Sequence, residues 1–363
     1  MKAVVWHGPR DVRVADDVEE PELLTPRDAI VRVTCAAICG TDLHPYRGEL
    51  DGFRSGTILG HEFCGVVERV GEGCGALQPG DRVFASNVIA CGRCTACERG
   101  MHYQCDERTL FGYGEVAGPY VPGGQAELVR VPFADVVLCR IPDGLSDEQA
   151  VFAADVLSTG FTAAERADVR AGQTVAVVGC GPVGLCAVMS ARLMGAAQVL
   201  AIDPERSRRD AARALGATPV AGRDGIADRR AEWSDGQEVD AVIEAVGADA
   251  ALTDALAVVR PRGTVVVVGS HGSTGFSLST VDAFDRELTL RFAVGDPIAV
   301  RDRLVALLSA GRLDPAVLIS HRLPLDDAVD AYRAFDRREA TKVLLLPGDG
   351  AHAPTTKEDD GAP

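Results

Sequence analysis

Lysine is nearly missing from this chain of 363 residues: Lys2, Lys342 and Lys357 are the only three. A Schiff-base lysine or a Tyr-x-x-x-Lys proton relay is therefore close to excluded. Aromatic side chains are scarce at 5%, so the core has to be built from Val, Ala and Leu. Positive charge is short as well, with 37 Lys and Arg against 53 Asp and Glu and a net charge of −16. A field of that sign speaks against a nucleic acid or an anionic membrane as partner. No apolar run reaches the roughly 20 residues that span a bilayer. The opening MKAVVWHGPRDV has neither the apolar stretch nor the small-residue cleavage site of a secretory signal, which points to the cytoplasm.

What the chain does have is length enough for two domains, and a hydrophobic content of 47%. Glycine is rich, at 39 residues, and should mark tight turns and close approaches of backbone to ligand. The eleven cysteines are an odd number in a large chain, and four of them fall between positions 91 and 105. Metal binding in a reducing compartment fits that pattern better than a disulfide scaffold.

Residues 1–156 alternate short apolar runs with turn signals. AIVRVTCAAIC (29–39), CGVVERV (64–70) and DRVFASNV (81–88) read as strands, which predicts a mostly antiparallel β domain. From residue 157 the pattern changes. VAVVG (175–179), VLAID (199–203), VDAVIEAV (239–246), TVVVVG (264–269) and LTLRFAV (288–294) read as short buried strands. Helices are expected over 182–195, 206–216 and 251–259, between strands. That alternation over 157–296 predicts an α/β unit with a doubly wound parallel sheet covered on both faces. In 297–347 a helical period at 301–310 is followed by KVLLLP (342–347), read as a strand returning to the first domain. Residues 348–363 hold no large apolar side chain and are expected to be a disordered tail.

Gly179-Cys180-Gly181-Pro182-Val183-Gly184 follows the strand VAVV directly and opens a helix. Gly179 allows the tight turn, Gly181 lets backbone approach a pyrophosphate, and Gly184 permits close helix packing. Amides at the helix start can then face phosphates. Asp203 ends the next strand, placed to accept hydrogen bonds from ribose hydroxyls and to repel a 2′-phosphate, so NAD is expected over NADP. Arg206, Arg208 and Arg209 nearby keep NADP open, since an arginine can accommodate that phosphate. Val246 and Gly269, at the ends of later strands, are placed with the cofactor, as is Arg208.

Cys91, Cys94, Cys97 and Cys105 form C-x2-C-x2-C-x7-C. Four thiolates with no open position describe a structural zinc site. Three other segments carry reactive side chains: Cys39-Gly40-Thr41-Asp42-Leu43-His44, Gly60-His61-Glu62 and Asp155. Taken singly, Cys39 reads equally as a buried thiol, His61 as a core imidazole and Asp155 as a helix cap.

Together these pieces resemble the zinc-dependent medium-chain alcohol dehydrogenase family, from residue 1 to about 347. The resemblance rests on CGTDLH at 39–44, GHEFCGVVERVGEGC at 60–74, PGDRV at 79–83, the cysteine loop, the glycine turn and their order. It implies a six-stranded Rossmann sheet plus a GroES-like catalytic domain. Cys39, His61 and Asp155 would be the catalytic zinc ligands, in the branch that carries aspartate where many members have cysteine. Glu62 would lie beside the metal as an adjacent or transient ligand, and Asp42 would orient His61. The resemblance implies two zinc ions per chain and reversible hydride transfer between an alcohol and nicotinamide C4. Thr41 would hydrogen-bond the reacting oxygen, and His44 would end a proton relay to water. Thr159 and Val183 would pack behind the nicotinamide, and Lys342 would stand near the pyrophosphate. A homotetramer or homodimer is implied by the resemblance alone.

Asn87 falls where many alcohol-specific members place a bulky aromatic. An amide there would favour a substrate with a second polar group, because burying it unpaired is costly. A polyol or sugar alcohol, an aldehyde-oxidising activity, or another small alcohol or carbonyl compound all stay open. A non-catalytic nucleotide-binding structural or regulatory protein is the alternative of a different class; it would have no need to keep Cys39, Thr41, His61 and Asp155 together.

Overall fold

Ala29–Ile38 is the longest strand among the described residues, and its first three and last four residues are all buried. Strands gather on both of its edges, which is why so much of it is apolar. In the computed structural model, which describes residues 1–222, 225 and 238–348, one edge pairs with Glu62–Val70 along nearly its whole length, and the other is shared by Leu128–Val131, opposite residues 29–32, and Lys342–Leu346, opposite residues 36–38. The sheet continues outward through Arg82–Ala85 and Leu138–Arg140 on one side and Ile319–Pro324 on the other. All neighbours run antiparallel except Ile319–Pro324 and Lys342–Leu346, which are parallel. The C-terminal strand thus returns to the first sheet, with Val343 opposite Ile38 and Leu345 opposite Ala36.

The run 81–88 is not one strand. It ends at Ala85, and a separate strand, Val88–Ile89, pairs with Thr109–Leu110. Between them the Ser86 amide donates to the Val137 carbonyl and the Asn87 amide to the Ala154 carbonyl. The backbone peels off the sheet there, which leaves Asn87 on a bend.

Six strands form an all-parallel sheet in the order Thr218–Val220, Gln198–Ile202, Thr174–Val178, Val239–Glu244, Val259–Val267, Thr289–Phe292. Numbered by sequence this is 3-2-1-4-5-6, the doubly wound order whose reversal point lies beside the first strand. Thr174–Val178 is buried throughout. Helix Pro182–Leu193 has Pro182 in its first turn, where the missing N–H costs nothing.

Helix Val156–Arg166 joins the two sheets, and residues 156–164 of it are buried. Gly160 allows this: a Cβ there would meet the Ala187 amide nitrogen at 2.6 Å, so the helix can lie close against Pro182–Leu193. A single buried cluster runs from Cys39, Cys64 and Phe84 through Phe152 and Leu157 to Val175, Val177 and Ala187. The core is therefore continuous beneath the cleft that the two sheets border. The expected disordered tail lies, apart from Gly348, outside the described residues. Among the described residues no helix is long and apolar enough to cross a membrane.

Candidate active site and metal centres

Cys39 leaves the end of Ala29–Ile38 and caps a short turn, Gly40–Asp42. The turn is held by Asp42, whose Oδ2 accepts from the Cys39 amide at 2.9 Å. His61 precedes strand Glu62–Val70. Its neighbour Gly60 has φ +100°, and a Cβ there would meet the Gln125 side chain at 2.4 Å, so only glycine fits. Asp155 sits between Val151–Ala154 and Val156–Arg166, with φ −153° and ψ −76°. It is held by Thr159 Oγ1, which donates to its Oδ1 at 3.1 Å.

These distant segments meet. One donor atom each from Cys39, His61, Glu62 and Asp155 lies within 4.8 Å of the others, and all four residues are buried. Asp42 Oδ1 is 3.1 Å from His61 Nδ1, and Gln125 Nε2 donates to Asp42 Oδ2 at 3.3 Å. Tyr332 in turn donates to Gln125 Oε1 at 2.8 Å. The imidazole is thus oriented with Nε2 toward Cys39 and Asp155. Nε2 lies 3.3 Å from Asp155 Oδ2 but makes no hydrogen bond, and Glu62 Oε1 is likewise buried without a partner.

The electrostatics point the same way. Burial, with Glu62 and Asp155 nearby, pushes the Cys39 thiol up to about 12. Burial pulls the His61 imidazole down, but Asp42 and Asp155 outweigh it and hold the ring well above its ordinary value. Burial would raise Asp155, yet its contact with His61 keeps it below the usual carboxylate range. Two orphaned donor atoms and a crowd of buried anionic groups fit a divalent cation, which would lower the thiol and satisfy both atoms. A thiolate, an imidazole and a carboxylate form a three-ligand zinc set with room for a fourth position.

Lys342 departs from the expectation that placed it near a pyrophosphate. It is fully buried, does not line the cleft, and its Nζ donates to Glu62 Oε2 at 2.5 Å. Phe152 lies beneath it at 5.8 Å. The reason is its strand: Lys342 opens Lys342–Leu346, one residue before Val343 pairs with Ile38, and that register puts it behind the Glu62 carboxylate.

The four loop cysteines also converge, with their sulfurs within 4.8 Å of one another. The Cys91 and Glu107 amides both donate to Cys105 Sγ, at 3.2 and 3.3 Å. Such N–H···S contacts suit thiolates. Cys94 is drawn down to about 6, chiefly by backbone donors at Asp106 and Cys97, whereas burial pushes Cys97 up to about 12. The loop is tied to the rest of the chain by His102, whose amide donates to Asp296 at 2.8 Å.

A cleft of about 620 Å³ joins the first cluster to the glycine turn. Cys39, Thr41, His44, His61, Asn87, Asp155 and Thr159 line it, with Gly179, Gly181, Pro182, Val183, Arg208, Val246 and Gly269 further along. Gly179 has φ +92°, and a Cβ on Gly184 would stand 1.8 Å from the Gly179 carbonyl oxygen, so the turn needs both glycines. A Cβ on Gly181 would meet no protein atom within 4 Å; that open face is where backbone can approach a phosphate. His44 is held by Glu49, Nδ1 to Oε2 at 2.7 Å. Asp203, Asp42, Glu62 and Gly184 do not line the cleft. Asp203 is buried and accepts from the Cys180 and Glu205 amides, each at 2.8 Å.

Sequence reasoning missed several cleft residues. Tyr103, Arg108, Arg47 and Arg338 all line it. Glu244, fully buried, holds the Val246 and Gly247 amides at 2.7 and 2.8 Å beneath the nucleotide end. An acidic residue at the end of an otherwise apolar strand was the available signal for Glu244. For the loop residues nothing in the spacing marked them.

Residues 25–143 match the family described as Alcohol dehydrogenase GroES-like domain, and residues 182–310 match the family described as Zinc-binding dehydrogenase. The chain is 40% identical to a probable zinc-binding alcohol dehydrogenase of Mycobacterium tuberculosis, covering 97% of this chain and 91% of that one. Among solved structures it resembles alcohol dehydrogenase TADH from Thermus sp. ATN1, at 42% identity and a TM-score of 0.91, over 95% of this chain and 99% of that one. It also resembles a zinc-dependent alcohol dehydrogenase 2 from Streptococcus pneumonia in its apo form, at 33% identity and a TM-score of 0.85, over 97% and 100% of the two chains.

Proposed function

Because the chain belongs to the zinc-dependent medium-chain alcohol dehydrogenase family, and so is a zinc-binding, NAD(P)-dependent oxidoreductase acting on CH–OH groups, we propose that it interconverts an alcohol bearing a second polar group with its aldehyde or ketone, using NAD. The observation that carries this is the meeting of Cys39, His61 and Asp155, with Glu62 close by them, on the wall of the cleft that also holds the glycine turn.

Cys39, His61 and Asp155 would hold the catalytic zinc, with Glu62 behind them, and the four loop cysteines the structural one. When bound, the zinc supplies Lewis acidity toward the alcohol oxygen and the nicotinamide supplies the hydride acceptor. The chain's own residues do the rest. Asp42 fixes the His61 ring so that Nε2 faces the site. The Thr41 hydroxyl lies in the cleft to accept and pass on the proton of the substrate. His44, held by Glu49, exchanges that proton with water. Thr159 and Val183 give the nicotinamide ring a fixed wall, where small misplacement is costly.

Support for NAD comes from how the neighbouring arginines are used. Arg208 is 3.8 Å from Asp203, Arg206 is 3.7 Å from Asp210, and Arg209 donates to the Asp203 and Pro204 carbonyls. All three are engaged, and the Asp203 charge stays to repel a 2′-phosphate. A polyol or sugar alcohol is the favoured kind of substrate, because Asn87 is buried in the cleft wall with Oδ1 unpartnered. A homodimer or homotetramer is supported by the sheet edge Thr289–Phe292, where Phe292 is 72% exposed, and by the helix Thr280–Asp285 before it, where Phe284 is 82% and Val281 70% exposed. The same reading divides the chain into 1–156, 157–296 and a returning 297–347, and places it in the cytoplasm, where thiol ligands stay reduced.

An NAD-reduction screen across alkanols and polyols tests the reading, together with metal analysis. We expect two zinc ions per chain, one lost with most activity in Asp155→Ala, and faster turnover of polyols than of alkanols. Asn87→Phe should depress the polyols selectively. One zinc per loaded chain, or NADP reduced in preference to NAD, would refute it.

A further inference from the structure

Four arginines line the cleft: Arg47, Arg108, Arg208 and Arg338. Three have a carboxylate partner. Arg47 meets Asp336 at 2.7 Å, Arg338 meets Glu205 at 3.1 Å, and Arg208 meets Asp203 at 3.8 Å. Arg108 is the exception: among the described residues its guanidinium makes neither an ion pair nor a hydrogen bond, although the chain carries a net charge of −16. Two nearby acids are taken by other arginines, and Asp106, two residues before it, makes no ion pair with Arg108. Glu107 pairs with Arg93 at 3.4 Å and Glu115 with Arg54 at 3.1 Å.

Arg108 is also held in place. Its amide donates to the Cys105 carbonyl at 3.1 Å, so the four-cysteine loop fixes its backbone. Its guanidinium lies 5.9 Å from the centre of the Tyr103 ring, and Tyr103 lines the same cleft. Cys39, His61 and Asp155 of the metal cluster line that cleft too, so the arginine and the reacting cluster face one cavity. A half-buried cation with five donors and no acceptor is a site waiting for a planar or tetrahedral anion. The unpartnered, buried Asn87 Oδ1 in the same wall needs a hydroxyl donor.

We propose that Arg108 is a specificity-determining residue that binds an anionic group, a carboxylate or a phosphate, on a hydroxylated substrate. The inference rests on the cleft being the alcohol site, as argued above, and narrows its substrate to a hydroxy acid or a phosphorylated polyol.

The test uses the zinc-loaded full chain and compares kcat/KM for ω-hydroxycarboxylates, alkanediol monophosphates and neutral alkanediols of matched length. In the wild type the better anion should exceed its neutral counterpart by roughly ten- to hundredfold, the worth of a charge-assisted bond. That ratio should fall at least about tenfold in Arg108→Gln, survive in Arg108→Lys, and weaken with added NaCl. Whichever anion shows the larger ratio identifies the group. Calorimetric binding of hexanoate and of hexyl phosphate to the NADH complex gives a readout free of turnover; at least one should bind, and Arg108→Gln should abolish it. An anion-to-neutral ratio near one, a ratio unchanged by Arg108→Gln, or neither probe binding would overturn the proposal. Neutral diols still reducing NAD in that case would leave the function above intact. Conversely, no turnover of any alcohol with intact probe binding would sink that function and keep the anion site.

Discussion

Asp42 is one carboxylate with three donors around it, and each can be followed through Asp42→Asn. Oδ2 accepts from the Cys39 amide at 2.9 Å and from Gln125 Nε2 at 3.3 Å, while Oδ1 faces His61 Nδ1 at 3.1 Å. An asparagine has one acceptor end and one donor end. If its oxygen keeps Cys39 and Gln125, its NH2 faces Nδ1, and His61 must carry its proton on Nε2, the nitrogen turned toward Cys39 and Asp155. If the amide flips, the imidazole keeps its tautomer, but the NH2 group confronts two donors in a site where Asp42 is 1% exposed.

Either orientation leaves about one buried polar group unsatisfied, at about 1–3 kcal/mol. Expressed in the zinc-bound state alone, that is roughly a five- to hundredfold loss of affinity, in line with other changes behind metal-bound histidines. The assay is a chelator competition that resolves the two zinc ions of each chain. The tight site at Cys91, Cys94, Cys97 and Cys105 should be unmoved and serves as the internal control. The weaker ion should leave Asp42→Asn at lower chelator concentration, and nitrogen chemical shifts should report a changed His61 tautomer in the first orientation. Wild-type affinity at both sites, within about a factor of two on the scale set by one such bond, would refute the assignment of Asp42 as the residue that orients the ligand.

Three other outcomes are expected. Lys342→Met strands the Glu62 carboxylate, which burial already holds above the usual range, at a cost of about 3–5 kcal/mol. Below the unfolded carboxyl value Glu62 is neutral in both states, so the deficit of the metal-free variant should be largest near pH 8 and shrink as pH falls toward about 4.5; thermal unfolding checks it, and a pH-independent deficit would contradict it. In zinc-stripped protein Cys94, drawn down to about 6, should be alkylated before Cys97, with a rate that rises as pH climbs through that value; peptide mapping of iodoacetamide adducts reads it. Asp203→Ser should weaken both cofactors, because the Cys180 and Glu205 amides lose their acceptor, yet it should move the NADP-to-NAD ratio of kcat/KM upward by about tenfold or more by freeing Arg208.

Much of the architecture was legible because it is written in short-range pattern. The buried run at 175–178, the turn Gly179–Gly184 and the alternation of strands and helices after it specify a parallel sheet through side-chain period alone. The cysteine loop is legible for a similar reason: three thiols within seven residues can converge only in a tight turn. The catalytic ligands were not legible that way. Cys39, His61 and Asp155 come from a strand end, a strand start and a break between helices, and only the resemblance of their surrounding segments brought them together before the structure did.

Strand register and free charge explain what was missed. Lys342 is 281 positions after His61 along the chain, and whether a lysine at a strand start turns toward solvent or toward a buried carboxylate depends on which neighbour the strand finds. Pairing of Val343 with Ile38 decides it, and no local pattern encodes that pair. Arg108 was hidden by the opposite circumstance. An arginine in a charged loop reads as a solvated surface residue, and it stands out only when its guanidinium is seen to line the cleft without an ion pair. The two cations therefore divide the work of the cleft. Lys342, enclosed and paired, stabilises an acid beside the metal ligands and is closed to any ligand. Arg108, half-exposed and unpaired, keeps its charge for whatever enters. In a chain with so few lysines and so many acids, a cation left without a partner beside the reacting groups is a costly arrangement for folding, and binding is what offsets it.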